Sequence, residues 1–267
     1  MTTTLVLGAT GKTGRRVAAA LGSAARPASR SSALRFDWSD PSTWAPALAG
    51  VSAVYLVPPA NNLDSAEVEA FVPVAVAAGV RRIVLLSARG IDPADRREAA
   101  VRESAVDWTI LRPAWFQQNF SEDFLLPMVR AGEVTLPMGA GGNPFIDARD
   151  IADVAVAALT SDAHAGRVYE LSGPEAISFP DAVALVAEAS GREVKAVDVP
   201  EEPFTGALVE AGFSPEYATV LTASLAAIRD GHDAHLSTGV QDALGREPRR
   251  FEDYVKATAA SGVWAQV

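Results

Sequence analysis

The chain opens on Thr4-Leu5-Val6-Leu7-Gly8-Ala9-Thr10-Gly11-Lys12-Thr13-Gly14, a short apolar β run that enters a glycine-rich turn. Arg15, Arg16, Val17 and Leu21 continue with helical spacing, which predicts a strand, a tight turn and a helix in immediate succession. Gly8, Gly11 and Gly14 let the backbone turn sharply, approach a pyrophosphate closely and pack a helix against a strand. The free N–H groups and positive dipole end of that helix would face the phosphates. The spacing is G-x-x-G-x-x-G rather than G-x-G-x-x-G. Gly11-Lys12-Thr13 also resembles the end of an ATP-binding P-loop, but that motif needs a glycine where Val6 stands. The plain alternative is a strand-to-helix turn that binds nothing.

The next stretch bears on which dinucleotide such a turn would hold. NAD-binding folds place an acid about 20 residues beyond the glycines to accept the ribose hydroxyls. Here the corresponding residues are Arg26-Pro27-Ala28-Ser29-Arg30-Ser31-Ser32, with no acid among them. A carboxylate would repel a 2′-phosphate, whereas Arg30, Ser29 and Ser31 could bind one, with Lys12 as a second cation. NADP(H) is therefore expected in preference to NAD(H). The competing reading makes Arg30 a solvated surface residue.

Composition narrows the function classes. A chain of 267 residues that is 49% hydrophobic can bury a large core, as one domain or a domain with a lobe. It has no cysteine, which excludes disulfides, thiol nucleophiles and thiolate metal sites. No apolar run approaches the roughly 20 residues a membrane helix needs, and no basic, signal-like start is present, so a cytoplasmic location is expected. A net charge of −10 would repel nucleic acid and anionic lipid, and Arg81-Arg82 and Arg249-Arg250 are too short to form a basic stripe. The expected partner is a small-molecule substrate, taken by a monomer or homodimer.

Along the chain, strand and helix signals alternate. Residues 4–7 read as a strand and 12–21 as a helix; short strands follow at 28–30 and 34–36, then a short helix reaching residue 48. A buried strand over 53–57 ends at Pro58-Pro59, a helix covers 64–78, and 83–87 is an almost wholly apolar strand. A charged helix over 93–104 and a strand over 108–112, stopped by Pro113, complete the run. Such βαβ alternation predicts an α/β fold: a Rossmann-type doubly wound parallel sheet with helices on both faces. Beyond residue 113 the rhythm changes. Residues 119–130 read as a helix, 139–142 as a glycine-rich loop, and Asp150 as the N-cap of a helix over 151–159. A strand at 168–171 and a helix at 180–189 follow, and the remainder is expected to be mainly helical. The expected organisation is an NAD(P)-binding domain over 1–150 and a smaller substrate-side lobe over 151–267, packed on the same core with a shared sheet. That lobe would lie over the carboxyl ends of the strands, where open α/β sheets bind ligands.

Gly8-Ala9-Thr10-Gly11, the strand at 83–87, Trp108-Thr109-Ile110-Leu111-Arg112-Pro113 and Phe145-Ile146-Asp147-Ala148-Arg149-Asp150-Ile151-Ala152 occur in that order. Together they resemble the NmrA-like branch of the atypical short-chain dehydrogenases, over nearly the whole chain. The stretches Arg35-Phe36-Asp37-Trp38, Tyr55-Leu56-Val57-Pro58-Pro59 and Arg112-Pro113-Ala114-Trp115-Phe116-Gln117-Gln118-Asn119-Phe120 are more particular. They are similar to bacterial relatives of the ergot-alkaloid festuclavine and agroclavine dehydrogenases. The resemblance implies that Thr10, Gly11, Lys12 and Thr13 hold the pyrophosphate and Arg30 the 2′-phosphate. Asp37 and Trp38 would lie near the adenine, Val57 and Pro58 along the cofactor, and Ser87 and Pro113 near the nicotinamide. Trp115, Phe116, Asn119 and Phe120 would face the substrate; independently of the resemblance, the loop at 139–143 is expected to complete the pocket. Each has a plain alternative: Trp115 and Phe116 as core aromatics, Ser87 as a loop cap, Asp37 as the start of a turn, and Asp150 as a helix cap rather than an acid.

Catalytic side chains are conspicuously missing. Typical short-chain dehydrogenases use Tyr-x-x-x-Lys, in which the lysine lowers the tyrosine pKa for proton donation. Tyr55, Tyr169, Tyr217 and Tyr254 are followed at that spacing by Pro59, Gly173, Leu221 and Thr258, and the lysines are Lys12, Lys195 and Lys256. Arg96 and Arg97 read as a solvated helix face. His232-Asp233-Ala234-His235 could set two imidazoles on one helical face but lacks a second carboxylate at ligand spacing, so no metal is expected. No G-x-S-x-G elbow is present. Hydride transfer without a strong protein acid suits an acceptor that is already electrophilic: a quinone, an iminium ion or a conjugated enone. The expectation is an NADPH-dependent reductase of such an acceptor. The alternative is a non-catalytic NADP(H)-binding redox sensor that regulates a protein partner.

Overall fold

The computed structural model describes residues 3–59, 63–90, 92 and 94–265. From the N-terminal side the chain forms β1 (Thr4–Leu7), α1 (Gly14–Leu21), β2 (Ala25–Ala28), α2 (Trp44–Leu48), β3 (Ala53–Leu56), α3 (Ala66–Ala77), β4 (Arg82–Leu86), α4 (Arg96–Arg102) and β5 (Asp107–Pro113). It then runs through α5 (Asn119–Glu122), α6 (Leu125–Ala131), β6 (Glu133–Leu136) and β7 (Gly142–Asn143), before α7 (Ala148–Thr160) and β8 (Arg167–Leu171). Next come β9 (Ile177–Ser178), α8 (Phe179–Ser190), β10 (Lys195–Asp198), α9 (Glu201–Glu210) and α10 (Pro215–Arg229), and finally α11 (Gly239–Leu244) and α12 (Phe251–Ala260). Two compact units share this path. The first takes Met1–Pro113, Ala148–Leu171 and Thr238–Arg246; the second takes Ala114–Asp147, Ser172–Ser237 and Glu247–Val267.

The first unit is built on a six-stranded sheet in the order β2-β1-β3-β4-β5-β8, every neighbouring pair parallel. Its central strands β3 and β4 are almost wholly apolar, as expected of strands covered on both faces. Alternate side chains sort to opposite faces. Leu5, Leu7, Val54, Leu56, Ile83, Leu85 and Ile110 share a core with Trp44 and Leu48 of α2, Phe71 and Val72 of α3, and Val101 of α4. Helices α1 and α7 pack together, with α7 also against β3, β4 and β5, and α11 lies on α7 and β8. The strand order reverses between β2-β1 and β1-β3, and at such a switch point the carboxyl ends of adjacent strands open a crevice. The α/β, Rossmann-type parallel sheet expected from the sequence is therefore present.

The second unit pairs β6 with β10 in parallel and β7 with β9 antiparallel. Phe120, Phe145, Phe179, Phe251, Tyr254 and Trp264 form its aromatic centre. Several ring pairs in it meet edge to face, such as Phe145–Phe179 at 5.2 Å between centroids.

Some expected elements shift. The second strand covers Ala25–Ala28 rather than 28–30, and 34–36 makes only the isolated bridge Ser29–Arg35. The Ser29 side chain explains the turn-away: its Oγ accepts the Ser31 and Ser32 amides at 3.3 and 3.1 Å, closing a turn where a strand would have to run straight. The helix expected over 119–130 is broken at Asp123, whose backbone is extended (φ −143, ψ −161). The strand β10 lies within a stretch expected to be helical. The charged helix begins at Arg96, and Pro93, at the start of its expected span, lies outside the described residues. The units also do not divide at a single point near residue 150, because α7, β8 and α11 complete the first unit's sheet and its covering layer. Among the described residues, no helix is long and apolar enough to cross a membrane.

Candidate functional site

The glycine turn leaves β1 with Gly8 at φ +61, a conformation that side chains disfavour, and closes with the Gly11 amide donating to the Gly8 carbonyl at 2.8 Å. At Gly14 a Cβ would come within 2.2 Å of that same carbonyl, so only glycine lets α1 start this close to β1. The N-terminus of α1 carries no side-chain cap from Thr13 and no acid in its first turn. The Arg15 and Arg16 amides turn inward to the Gly11 and Thr13 carbonyls at 3.2 and 3.0 Å, and no side chain of the first turn sets a negative charge against the positive end of the helix. Thr10 and Gly11 are exposed, and Thr13 and Gly14 are buried behind them. The neighbouring strand end meets the turn: a Cβ on Gly8 would lie 3.4 Å from Val57 Cβ. This cradle fits a pyrophosphate.

In β2 and just beyond it, three arginines are within sequence reach of a 2′-phosphate, and two are engaged. Arg26 donates to the carbonyls of Ala47 and Ala49, and Arg35 pairs with Asp37 at 3.1 Å and Asp40 at 3.8 Å. Arg30 is exposed and has no hydrogen bond or ion pair among the described residues. Ser29 is used by its own turn, with its Oγ also 2.6 Å from Ser32 Oγ. Asp37 does start a turn: it accepts from the Ser39 amide at 3.2 Å and the Ser39 hydroxyl at 2.8 Å. Those hydrogen bonds, with Arg35, hold its carboxyl below the usual range. Trp38 packs edge-on against Phe36 at 5.1 Å and Phe71 at 5.3 Å, as part of the core wall.

At the carboxyl ends of the next strands, Val57 and Pro58 follow β3 and are half-buried, and Pro113 is buried at the end of β5. Ser87 follows β4 and is half-buried. Its hydroxyl donates to Glu98 Oε1 at 2.6 Å. Glu98, on α4, is fully buried and is the residue the sequence reading missed. Arg112 on β5 grips it with two bonds, Nε to Oε1 at 2.8 Å and Nη2 to Oε2 at 2.6 Å, and Arg102 adds one to Oε2 at 2.7 Å. Burial alone would raise the Glu98 pKa. The hydrogen bonds from Arg112 and Ser87 and the charges of Arg112 and Arg102 outweigh it and hold the carboxyl below its ordinary value. Arg97, next to it in sequence, is paired with Asp95 at 2.6 Å, and Arg96 grips Glu69.

In the second unit, Trp115 and Phe116 are half-buried. The Trp115 carbonyl accepts the Ile146 amide at 2.9 Å, and Phe116 forms a parallel bridge with Ile146. The Trp115 indole stands edge-on to Phe179 at 5.8 Å and Phe124 at 6.3 Å. Asn119 is buried, and its amide caps back to the Phe116 carbonyl at 3.1 Å. Phe120 is a core residue rather than a pocket wall. It has zero exposure and packs on Phe145 and Phe251 at 5.6 and 5.5 Å, while its carbonyl accepts the Trp264 indole N–H at 2.8 Å. The glycine loop at 139–143 is explained by packing. A Cβ on Gly141 would lie 1.9 Å from the Ile228 carbonyl at the end of α10, and Asn143 donates to Asp233 at 2.6 Å.

Asp150 is not an N-cap. It lies inside α7, fully buried, with Arg246 from the end of α11 on its carboxylate at 2.7 Å and on Asp153 at 2.6 Å. His232 and His235 are not on a helix, since α10 ends at Arg229. Among the described residues no group of three or more His, Cys, Asp or Glu could hold a metal. Tyr55 is buried in the sheet, with its hydroxyl facing Thr13 and its pKa pushed up by burial. Tyr169 shares a hydrogen bond of 2.9 Å with His164, and Tyr254 donates to Ser121 at 2.7 Å.

An open parallel sheet with a switch point, a glycine-rich turn and a helix start with no side-chain cap and no acid defines a dinucleotide-binding protein of the Rossmann class. A family model described as NAD(P)H-binding matches residues 8–162, and the chain belongs to that family and is an oxidoreductase. It is 34% identical to the (4-alkanoyl-5-oxo-2,5-dihydrofuran-3-yl)methyl phosphate reductase of Streptomyces griseus, over 94% of this chain and 95% of that protein. It is 32% identical to the agroclavine dehydrogenase of Claviceps fusiformis, over 95% of this chain and 96% of that protein. These relatives bear out the resemblance read from the sequence. In three dimensions it is similar to Citrobacter sp. triphenylmethane reductase complexed with NADP(H), with a TM-score of 0.77, 23% identity, and coverage of 96% and 99% of the two chains. At that identity the likeness is one of fold.

Proposed function

We propose that this protein is an NADPH-dependent reductase of a small organic acceptor that is already activated for hydride attack. The observation that carries the cofactor reading is the acid-free start of α1 behind the glycine turn, with Arg30 uncommitted beyond β2. Thr10, Gly11, Lys12, Thr13 and Gly14 hold the pyrophosphate, and Arg30 holds the 2′-phosphate that distinguishes NADPH from NADH. Val57, Pro58, Ser87 and Pro113, at successive strand ends, line the path of the nicotinamide half. When bound, NADPH supplies the hydride and leaves as NADP+.

The chain's own task is then binding, orientation and exclusion of water. None of the four tyrosines has a lysine at the dyad spacing, which supports a reaction that needs no strong protein acid. An iminium ion is neutralised by hydride alone; a quinone or conjugated enone becomes an anion that takes its proton from solvent. The Streptomyces relative's named substrate, an acylated oxo-dihydrofuran, is a conjugated alkene of this kind. Agroclavine dehydrogenase acts within the same family of sequences. Trp115, Phe116 and Asn119, which follow directly after Pro113, contact the acceptor.

The test is a titration of the protein and its Arg30→Ala variant with NADPH and NADH, followed by NADPH oxidation against quinones, iminium compounds and enones. Loss of one charge-assisted contact should weaken NADPH about tenfold or more and leave NADH unchanged. An unchanged NADPH affinity sinks the cofactor assignment. Tight NADPH binding with no acceptor-dependent oxidation would instead favour a redox sensor acting on a protein partner.

A further inference from the structure

The Glu98 site constrains one hydroxyl that the proposed reaction does not yet use. Four donors converge on the two oxygens of a fully buried carboxylate: Ser87 Oγ and Arg112 Nε on Oε1, and Arg112 Nη2 and Arg102 Nη2 on Oε2. Two arginines beside it keep that carboxylate ionised, so it carries no proton to give. In the Ser87–Glu98 hydrogen bond the serine must therefore be the donor. Its one proton is spent inward, and only its lone pairs remain for a ligand. The Ser87 amide is also fixed, donating to the Leu111 carbonyl at 2.8 Å, so the side chain starts from a rigid backbone. Ser87 is half-buried, at the carboxyl end of the second strand beyond the glycine turn. Two inter-strand steps amount to about 10 Å. A ribose and a pyridine ring together span that reach from a pyrophosphate.

We propose that Ser87 is an acceptor-only hydroxyl that takes an N–H of the nicotinamide carboxamide, and so fixes the orientation of the ring. The inference rests on the reading of this edge as the NADPH site. Glu98 is then a positioning residue: it touches no ligand but sets the direction of the Ser87 hydroxyl. The same geometry denies Ser87 the role of proton donor, in keeping with an acceptor that needs none. An N–H on the organic acceptor has the same chemistry as the carboxamide, and a change made to the cofactor alone separates the two.

The probe is the reduced acetylpyridine analogue of NADPH, in which a methyl ketone replaces the carboxamide. It has an acceptor oxygen and no N–H. Binding is read by quenching of tryptophan fluorescence, with no acceptor present. The wild-type protein should bind NADPH roughly three- to tenfold more tightly than the analogue, the size of one neutral hydrogen bond. Ser87→Ala should bind the two alike, the loss falling on NADPH, and Ser87→Thr should restore the preference. In Glu98→Gln the hydroxyl is free to turn and donate to the ketone, so the preference should shrink, with the melting temperature reporting any structural loss separately. A preference that persists in Ser87→Ala, or an equal weakening of both ligands, overturns the assignment. An unchanged preference in folded Glu98→Gln removes Glu98 from it. If the wild-type protein binds no NADPH, the reading of the site fails and this inference with it.

Discussion

Glu98 shows how much of a site can rest on one residue that a sequence does not advertise. Within the run Arg96-Arg97-Glu98 it resembles any charged helix face, and Arg112 comes from a strand that follows only after a turn. Nothing in local spacing says that their side chains meet out of water. Removing a partner from a buried ion pair leaves the other charges uncompensated, at a cost of about 3–5 kcal/mol. Arg112 and Arg102 are partly solvated, with 19% and 31% of their side chains exposed, so the lower end applies. Glu98→Ala should thus lose about 3 kcal/mol in urea unfolding at neutral pH. The pH dependence has a definite sign. The folded-state pKa is lowered, so the stabilisation is fully present above the unfolded glutamate value of about 4.3 and is lost as pH falls through the lower folded value. The stability gap between wild type and Glu98→Gln should narrow on acidification below about pH 4 and stay flat above pH 6. A gap that widens in acid would show that the carboxyl is not held ionised. Arg30, by contrast, could be proposed from sequence alone, because its reading needs only a cation and a missing acid at the right distance from the glycines.

At the scale of elements, the turn between β1 and α1 was legible because its requirement is steric and local. Three glycines at fixed spacing admit few backbones, and the helix start they create has the properties expected of it. Gly14→Ala tests this directly. The new methyl would sit 2.2 Å from the Gly8 carbonyl, so the turn must open. Overpacking of this kind costs about 1–3 kcal/mol, and NADPH affinity should fall at least tenfold, about 1.4 kcal/mol. Thermal melts with and without NADPH check both, and a variant that melts lower but keeps full affinity would show the cradle to be elsewhere. Other elements were misread where a side chain overrode the pattern. Ser29 turns the chain before a third strand can form, and the extended backbone at Asp123 cuts one expected helix into α5 and α6. The glycines at 139–142 looked like a ligand loop, but Gly141 is glycine because α10 ends against it. Glycine spacing identifies a close approach without saying what approaches.

For the whole molecule, the order in which the chain visits its two units carries most of the information that periodicity lacks. The strand β8 and the helix α7 could be read from sequence, but not that β8 would become the sixth strand beside β5. That choice is made by the edge of β5, where Thr109 to Pro113 pair with Arg167 to Leu171. The last piece, α11, returns from far along the chain and is pinned by Arg246 to Asp150 and Asp153 of α7. A fragment ending at residue 150 would keep the glycine turn and five strands but lose β8, α11 and nearly all of α7. The edge of β5 would then be open, and a helix that covers β3, β4 and β5 would be missing. An exposed apolar strand edge of this kind is a template for aggregation. The fragment should show no cooperative thermal transition by circular dichroism and should not bind NADPH, although every residue assigned to the cofactor is present. If it folds as a monomer and binds NADPH with the affinity of the intact chain, then α7, β8 and α11 only decorate the sheet. If it fails while the intact protein gains several degrees of melting temperature from saturating NADPH, the site depends on residues that lie far from it in sequence and never touch the ligand.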